Sequence, residues 1–174
     1  ALRGDVIWCQ LFSEPAGGSD LAALRTRAER DGDHWVINGQ KIWTSGAHYS
    51  SYGCIVTRTD PTAQKHAGLT YFWLDMKAPG VEVRQIKQAS GAKHFNEVFF
   101  TNVRVHDSQR LGGVGEGWKV SITTLMNERY AAGETPGPDA PELIELARML
   151  QGENGPLIED TAVQERIAEF YVRS

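Results

Sequence analysis

Hydrophobic and polar positions alternate along most of the chain up to residue 105, which is the pattern of half-buried β-strands. The alternation predicts strands at 6–12, 22–30, 35–37, 41–44, 52–57, 69–74, 81–86 and 97–105. A turn is predicted at Asp31-Gly32-Asp33, and Asn38-Gly39 predicts a two-residue hairpin. Short strands at this even spacing, without intervening helical patterns, indicate a mainly β fold of the barrel or sandwich kind.

The spacing of apolar residues becomes helical after the glycine-rich stretch 112–117, whose glycine spacing does not fit a dinucleotide-binding fingerprint. The first predicted helix continues to Ala132 and is ended by the Pro- and Gly-rich segment 133–141. Asp139 and Glu142 form a capping box, which starts a second helix. A third helix with one apolar face is predicted after residues 152–156. The chain therefore changes from strands to helices near residue 112.

A predicted strand runs into a glycine-rich, hydroxyl-bearing loop at residues 10–20, which read QLFSEPAGGSD. Pro15 fixes one backbone angle there, and Gly17 and Gly18 permit angles that are closed to other residues. Such a loop brings backbone N–H groups close to a flat or phosphorylated ligand. An ordinary strand-to-turn junction uses the same residue types, so both interpretations stand on this stretch alone.

The composition is that of a soluble globular protein, with 174 residues, 41% hydrophobic and 23% charged, enough for one domain or one and a fraction. The net charge of −4 gives no reason to expect nucleic acid or an anionic membrane as a partner. Residues 127–174 carry ten acidic and four basic side chains, whereas residues 1–126 carry 12 acidic and 14 basic ones. An anionic ligand would therefore approach the first part more easily.

Cys9 and Cys54 both lie in apolar strand-like runs, which predicts buried free thiols in a reducing compartment. The sequence shows no apolar run long enough to span a membrane and no signal peptide, so we expect a cytoplasmic protein without a membrane partner. Its five histidines match no zinc spacing, and no metal site is predicted. It also lacks the nucleophile elbow of hydrolases and the phosphate-binding loop of kinases.

Five segments resemble, in order, the signature motifs of the acyl-CoA dehydrogenase family. SEPAGGSD at 13–20 is similar to TEPxxGSD, and NGQKIWTS at 38–45 is similar to NGxKxWIT(N/S). Residues 95–105 resemble ELxFxDVRVP, the segment from Leu111 to Trp118 resembles LGxxGxGW, and 127–129 contain the family's ER pair. The resemblance implies an antiparallel β-barrel of the family's middle-domain type, followed by two or three α-helices.

The same resemblance implies two domains. Residues 1–112 would form the middle β-barrel domain, and 113–174 the beginning of a truncated C-terminal α-helical domain. The N-terminal helical domain is expected to be absent, so the chain looks like part of a longer protein.

In this family FAD lies against the barrel, and the resemblance carries its contacts onto this sequence. The implied cofactor-binding residues are Gln10, Phe12, Ser13, Gly18, Ser19, Trp43, Thr44 and Ser45. Ser19 could also approach the pantetheine arm of the substrate. A turn-forming hydroxyl at Ser13 and a core aromatic at Trp43 are the structural alternatives, and Trp8, Trp35 and Trp73 are expected to be core aromatics.

Two charged residues of the first helix match further family positions. Arg129 matches a residue that helps bind the acyl-CoA nucleotide. Glu128 is at the position where a minority of members place the catalytic base, whereas most place it in the C-terminal helical domain; the alternative for Glu128 is a surface carboxylate. The sequence departs from the family pattern at Ser13, which replaces Thr, at His106, which replaces Pro, and at Met126, which replaces a frequent Asp.

The resemblance implies FAD-dependent oxidation of an acyl-CoA to the trans-2-enoyl-CoA in fatty acid β-oxidation, with electrons passed to electron-transfer flavoprotein. The intact protein would form a homotetramer or paired heteromer. One alternative is a related flavoenzyme, such as an acyl-CoA oxidase, nitroalkane oxidase or flavin monooxygenase. The other is a non-catalytic partner subunit of a heteromeric dehydrogenase.

Overall fold

A computed structural model of the chain describes residues 5–133, 139–153 and 155–173. The chain divides into two compact units, the first ending at Leu125 and the second beginning at Met126. The described residues of the first unit form eight strands: β1 (Trp8–Leu11), β2 (Arg27–Asp31), β3 (His34–Ser45), β4 (Tyr52–Arg58), β5 (Leu69–Asp75), β6 (Val81–Gln85), β7 (Phe95–His106) and β8 (Arg110–Leu111). Short 3-10 turns lie at Leu21–Ala23 and Asp107–Gln109.

These strands form one mixed sheet in the order β6-β7-β3-β2-β4-β5-β8, with β1 beside β4. The expectation of a wholly antiparallel sheet is wrong at β1, which runs parallel to β4 with Trp8 opposite Tyr52. β2 also meets β4 in the parallel sense, at Arg27 and Arg58. Within the described residues the end strands β6 and β8 do not pair with each other, so the mainly β fold is confirmed and a closed barrel is not.

The two faces of this sheet carry two separate apolar clusters. Alternate residues of the long strands form the larger cluster, in which Leu11, Ile37, Ile55, Phe72 and Val98 are completely buried. The other face carries a smaller cluster built on β1, β4 and β5 and on the Leu21–Ala23 turn, and half-buried residues at the start of the first helix pack against it. The strands with two buried faces therefore lie next to the loop at 13–20.

The predicted hairpin at Asn38-Gly39 is wrong. β3 continues through both residues, and the turn into it lies between Asp31 and His34, as the Asp31-Gly32-Asp33 signal predicts. Asn38 instead accepts a hydrogen bond on Oδ1 from the backbone N–H of Asn102 at 2.9 Å, where β3 shifts its register against β7. Glycine follows Asn38 because a Cβ at Gly39 would lie 2.7 Å from the Cα of Thr26.

The predicted strand at 22–30 is confirmed only in its second half, since β2 begins at Arg27. Its first part contributes to the 3-10 turn at Leu21–Ala23, because the side chains of Leu21, Ala22 and Leu24 are buried in the smaller apolar cluster. Tertiary packing thus overrides the local alternation at this point.

The three predicted helices are confirmed as α1 (Gly117–Gly133), α2 (Ala140–Met149) and α3 (Thr161–Arg173). The carboxylate of Asp139 caps α2 by accepting the backbone N–H of Glu142 at 2.8 Å, as the capping box predicts. The predicted break at 133–141 falls partly on 134–138, outside the described residues. A short ladder, β9 (Gln151–Gly152) with β10 (Gly155–Pro156), and a 3-10 turn at Leu157–Glu159 precede α3. Over the described ranges, no helix combines the length and apolar character that a membrane crossing needs.

Candidate functional site

The loop that follows β1 folds back on itself and then onto β3. Glu14 and Gly17 exchange two backbone hydrogen bonds of 3.1 and 3.0 Å. The carbonyl of Ser13 accepts the backbone N–H of Ile42 at 2.9 Å, which joins the loop to β3. A Cβ at Gly18 would lie 3.2 Å from the Ser13 Oγ, so glycine leaves the hydroxyl its space. The loop therefore places Ser13 beside β3, immediately before Trp43.

A buried ion pair between Glu14 and Lys41 fastens the same junction. Lys41 is completely buried and Glu14 is 7% exposed. The Nζ of Lys41 donates to Glu14 Oε1 at 2.9 Å and to the carbonyl of Phe12 at 3.0 Å. The Glu14 carboxylate also accepts the backbone N–H groups of Arg25 at 2.6 Å and Thr26 at 2.9 Å. The pair therefore ties the end of β1, the entry to β2 and the middle of β3 together.

The environment of this pair shifts the pKa of both partners. Burial lowers the pKa of Lys41 to about 8, although Glu14 opposes the shift. Burial alone would raise the pKa of Glu14, but the Lys41 charge and hydrogen bond, with the N–H groups of Thr26 and Arg25, together bring it below the usual range. We take both groups as ionised at neutral pH, because each carboxylate oxygen accepts a hydrogen bond.

Trp43 lies on a bulge that turns its ring outwards. The pairing of β3 with β7 skips from Lys41 opposite Val98 to Thr44 opposite Asn96, so two residues of β3 face one of β7. Trp43 has φ of 60°, a left-handed conformation that costs a residue with a side chain about 1–2 kcal/mol. Its ring is 56% exposed and meets Phe95 edge to face at 6.0 Å between centroids. The alternative of a core aromatic at Trp43 is therefore wrong.

The next two residues of β3 present hydroxyls on opposite sides. Thr44 is 2% exposed, and its Oγ1 has no hydrogen-bond partner among the described residues. Ser45 is exposed. Burying a hydroxyl without a hydrogen-bond partner costs free energy, so Thr44 Oγ1 is available to donate to or accept from a bound ligand.

The remaining predicted cofactor residues surround the same loop. Gln10 is half-buried on β1, and Gly18 and Ser19 are exposed. Phe12 is buried, with its ring 5.8 Å edge to face from Tyr71, so only its backbone is available to a ligand. Within the first unit, the residues joined by contacts are thus Phe12, Ser13 and Gly18 with the β3 segment that precedes Trp43.

Glu128 and Arg129 belong to the second unit, on the part of α1 that follows Met126. Both side chains are exposed. Their assignments as catalytic base and substrate-binding residue stay predictions.

The tryptophans predicted as core aromatics differ in their surroundings. Trp35 is 4% exposed and lies in the main core, as predicted. Trp8 is 41% exposed, so its assignment to the core is wrong. Trp8 packs instead against Tyr52 and half-buried Trp73 on the sheet surface, at 5.1 and 6.1 Å between ring centroids. Gln10, the next residue of β1 on the side of Trp8, is polar and half-buried, so apolar cover is incomplete at this point.

The sequence interpretation gave no role to Glu14 or Lys41, although both lie in the quoted motifs. The signal was a charged residue at a position where the strand alternation calls for an apolar one, as at Lys41 between Ile37 and Trp43. A buried lysine needs a paired acid, and Glu14 is the acid in the neighbouring motif.

Comparisons with known proteins agree with this architecture. The family model for the acyl-CoA dehydrogenase middle domain matches residues 9–103. That match contains the loop at 13–20, the bulge at Trp43 and the Glu14–Lys41 pair. The chain belongs to the acyl-CoA dehydrogenase family. Members of this family are FAD-dependent enzymes.

Two acyl-CoA dehydrogenases of Mycobacterium tuberculosis are similar in sequence. FadE34 is 46% identical over 171 residues, which are 97% of this chain and 23% of that protein. IpdE1 is 44% identical over 160 residues, 88% of this chain and 41% of that protein. The chain thus spans less than half the length of these acyl-CoA dehydrogenases.

Two solved structures are similar in fold to this chain. The Tcur3481-Tcur3483 steroid ACAD has a TM-score of 0.80 and 33% identity, over 99% of this chain and 44% of that chain. The ChsE4-ChsE5 complex of Mycobacterium tuberculosis has a TM-score of 0.70 and 32% identity, over 98% of this chain and 45% of that chain.

The residues of this acyl-CoA dehydrogenase chain fit a flat cofactor with a polar edge. An aromatic ring is held outwards at Trp43 at the expense of backbone strain. A buried hydroxyl at Thr44 lacks a partner among the described residues, and Gly18 leaves the Ser13 hydroxyl its space. FAD, with a planar ring and hydrogen-bonding edges, has the matching chemistry.

Proposed function

We propose that the protein carrying this chain is a FAD-dependent acyl-CoA dehydrogenase that converts an acyl-CoA thioester into the trans-2-enoyl-CoA. The observation that carries the proposal is the bulge that holds Trp43 outwards directly beside the Ser13 loop. When bound, FAD would supply the hydride acceptor. Residues 1–112 would act as its middle domain and 113–174 as the beginning of the C-terminal helical domain. A cytoplasmic location is in keeping with the free thiols Cys9 and Cys54.

In this proposal the loop and the bulge bind and orient the flavin. Trp43 would stack on the ring, and the hydroxyls of Ser13, Thr44 and Ser45 would pair with its polar edge. Gln10 and the backbone of Phe12 would lie at the same edge, because β1 leads into the loop. N–H and O–H donors at a ring edge stabilise negative charge on the reduced cofactor, in the way an oxyanion hole does.

The loop that follows Ser13 would contact the FAD pyrophosphate and the pantetheine arm of the substrate. Gly18 and Ser19 would contact the FAD pyrophosphate, and Ser19 also the substrate. Arg129 would contact the acyl-CoA nucleotide, and Glu128 is the candidate base for the α-proton. Electrons would pass to electron-transfer flavoprotein, and the intact protein would be oligomeric.

The substrate class is proposed from the structural relatives. One of them is named a steroid ACAD, and it covers 99% of this chain at 33% identity. An acyl-CoA whose acyl group is attached to a steroid is therefore the first substrate to test, with a straight-chain fatty acyl-CoA as the comparison. Turnover of the fatty acyl-CoA but not of the steroid acyl-CoA would instead support a role in fatty acid β-oxidation.

Flavin titration tests the proposal, with the full-length protein and with this 174-residue chain. We expect saturable FAD binding in the full-length protein that Trp43→Leu weakens by about 10-fold, the effect of about 1.4 kcal/mol from one lost stacking contact. Ser13→Ala should weaken it by a similar factor. Trp8→Leu is the matched control, since Trp8 is an exposed tryptophan of the same sheet that packs on Tyr52 and Trp73 and not on Phe95. Binding that is equally sensitive to Trp8 and Trp43 would contradict the site.

A non-catalytic partner subunit is the second candidate, because one structural relative is the ChsE4-ChsE5 complex and the other carries the paired name Tcur3481-Tcur3483. FAD binding by the intact protein without turnover of any acyl-CoA would support it. An acyl oxidase is the third, since the structure of the prolyl acyl carrier protein oxidase AnaB matches with a TM-score of 0.74 and 26% identity. Hydrogen peroxide formation during turnover would identify it.

A further inference from the structure

Asn96, at the beginning of β7, is completely buried, and both the nitrogen and the oxygen of its side-chain amide have hydrogen-bond partners. Its Nδ2 donates to the carbonyl of Thr44 at 2.8 Å and to that of His94 at 3.3 Å. Its Oδ1 lies 3.1 Å from Nδ1 of His48. Burying an amide is unfavourable unless such partners exist, so Asn96 must be part of a specific network.

This network holds the segment that carries the proposed flavin contacts. Thr44 is paired with Asn96 where the bulge ends, and the backbone N–H of Gly46 donates to His94 at 3.0 Å. Asn96 therefore joins β7 to both the end of β3 and the loop that follows it. Trp43 therefore has a buried anchor on each side, Lys41 before it and Thr44 after it.

Anchors of this kind are required because Trp43 has a left-handed backbone. A residue with a side chain relaxes out of that conformation unless the surrounding structure fixes it. Lys41 fixes the first side through Glu14, and the Thr44 carbonyl is fixed on the second side by the amide of Asn96. Without that amide, the carbonyl of Thr44 loses its side-chain partner.

We propose that Asn96 is a positioning residue that holds the Trp43–Ser45 segment in place for the flavin, through the carbonyl of Thr44 and the ring of His48. The proposal rests on the proposed function for the identity of the ligand. The holding of the segment itself is a property of the protein without ligand, and it is tested separately.

Hydrogen exchange of the ligand-free full chain is the first test. Asn96→Ser should speed exchange of the amides in 43–48 by about 5-fold. This is the effect of about 1 kcal/mol from the lost hydrogen bond to the Thr44 carbonyl. The matched control is Thr57→Val, which also removes a buried side-chain bond to a strand carbonyl, that of Thr70. It should leave 43–48 unchanged.

The exposed residue His48 provides a second variant in case Asn96→Ser does not fold. His48→Ala removes the partner of the Asn96 Oδ1 and should speed exchange at 43–45 in the same direction. If Asn96→Ser does not fold, His48→Ala alone decides. Unchanged exchange at 43–45 in every variant that folds overturns the proposal.

Flavin fluorescence is the readout that a purely structural role would not move. In Asn96→Ser the dissociation constant for FAD should rise about 10-fold, and emission per bound flavin should increase as Trp43 loses its stacking position. Unchanged emission at full occupancy contradicts the positioning role even if stability falls. If the wild-type protein binds no FAD, the proposed function fails, and hydrogen exchange still decides whether Asn96 holds the segment.

Discussion

Replacing Glu14 by glutamine should destabilise the first unit by about 4 kcal/mol, because the change leaves the Lys41 ammonium buried without its anion. Lys41 is completely buried, and Nζ has two acceptors, the carboxylate and the Phe12 carbonyl. Glu14→Gln removes the charged acceptor. It also weakens the hydrogen bonds from the backbone N–H groups of Arg25 and Thr26, because their acceptor is then neutral. Breaking a buried pair on one side costs about 3–5 kcal/mol, which sets the magnitude.

Lys41→Met should cost less, about 2 kcal/mol, because the carboxylate keeps its two backbone N–H donors. The double variant should be no worse than Glu14→Gln alone, because it leaves no buried cation, which gives a coupling energy of at least about 2 kcal/mol. Urea unfolding followed by tryptophan fluorescence measures all three variants. With a slope of about 2 kcal/mol/M, Glu14→Gln moves the midpoint by about 2 M.

The pH dependence provides an internal control for this cycle. The folded-state pKa of Lys41 is lowered to about 8, so at pH 9.5 the lysine is neutral in the wild-type protein. Glu14 raises the pKa of Lys41, so without Glu14 the lysine of the variant is also neutral at pH 9.5. The destabilisation caused by Glu14→Gln should therefore be about 1–2 kcal/mol smaller at pH 9.5 than at pH 7, since no unpaired cation remains in the variant. Additive single variants at pH 7, or a penalty that does not change at pH 9.5, would refute the buried ion pair as the source of the effect.

Three further predictions concern other parts of the chain. Gly39→Ala should cost about 2 kcal/mol or more in urea unfolding, because its Cβ would lie 2.7 Å from the Thr26 Cα; Gly32→Ala, which has open space but φ of 63°, should cost only about 1 kcal/mol. Burial raises the pKa of Cys9 to about 11, so its thiol should react with a disulfide reagent at pH 8 only after unfolding, and rapid native labelling would contradict the assignment. Asp139→Ala should cost about 1 kcal/mol of helix stability by circular dichroism, whereas Asp139→Asn should be nearly neutral.

Local patterns in the sequence predicted most of the elements. The alternation located the long strands, and the helical spacing and the Asp139 capping box located the helices within a few residues. These signals succeed because they depend on neighbours in sequence. The Asn38-Gly39 hairpin failed because the same dipeptide also serves a bulge where two backbones approach closely.

The parts that sequence could not give are contacts between distant segments. The parallel pairing of β1 with β4 and the ion pair of Glu14 with Lys41 depend on which segments meet in space. The exposure of Trp43 follows from a register shift between β3 and β7, which no local pattern records. The site residues themselves came from the family resemblance, because no periodicity or spacing in the chain marks a flavin contact.

The parallel pairing of β1 with β4 has a consequence for the order of folding. β2 joins β3 through a tight turn, and β4 joins β5 through one loop, so these pairs close short loops. β1 does not pair with β2, the next described strand, and we expect it to dock only after Tyr52 and the rest of β4 are in place. β1 is synthesised before the other described strands of the sheet, yet this topology predicts that it docks after them, so the Ser13 loop should reach β3 only once the hairpins exist. A flavin-binding surface built on this junction would be among the last parts of the first unit to form.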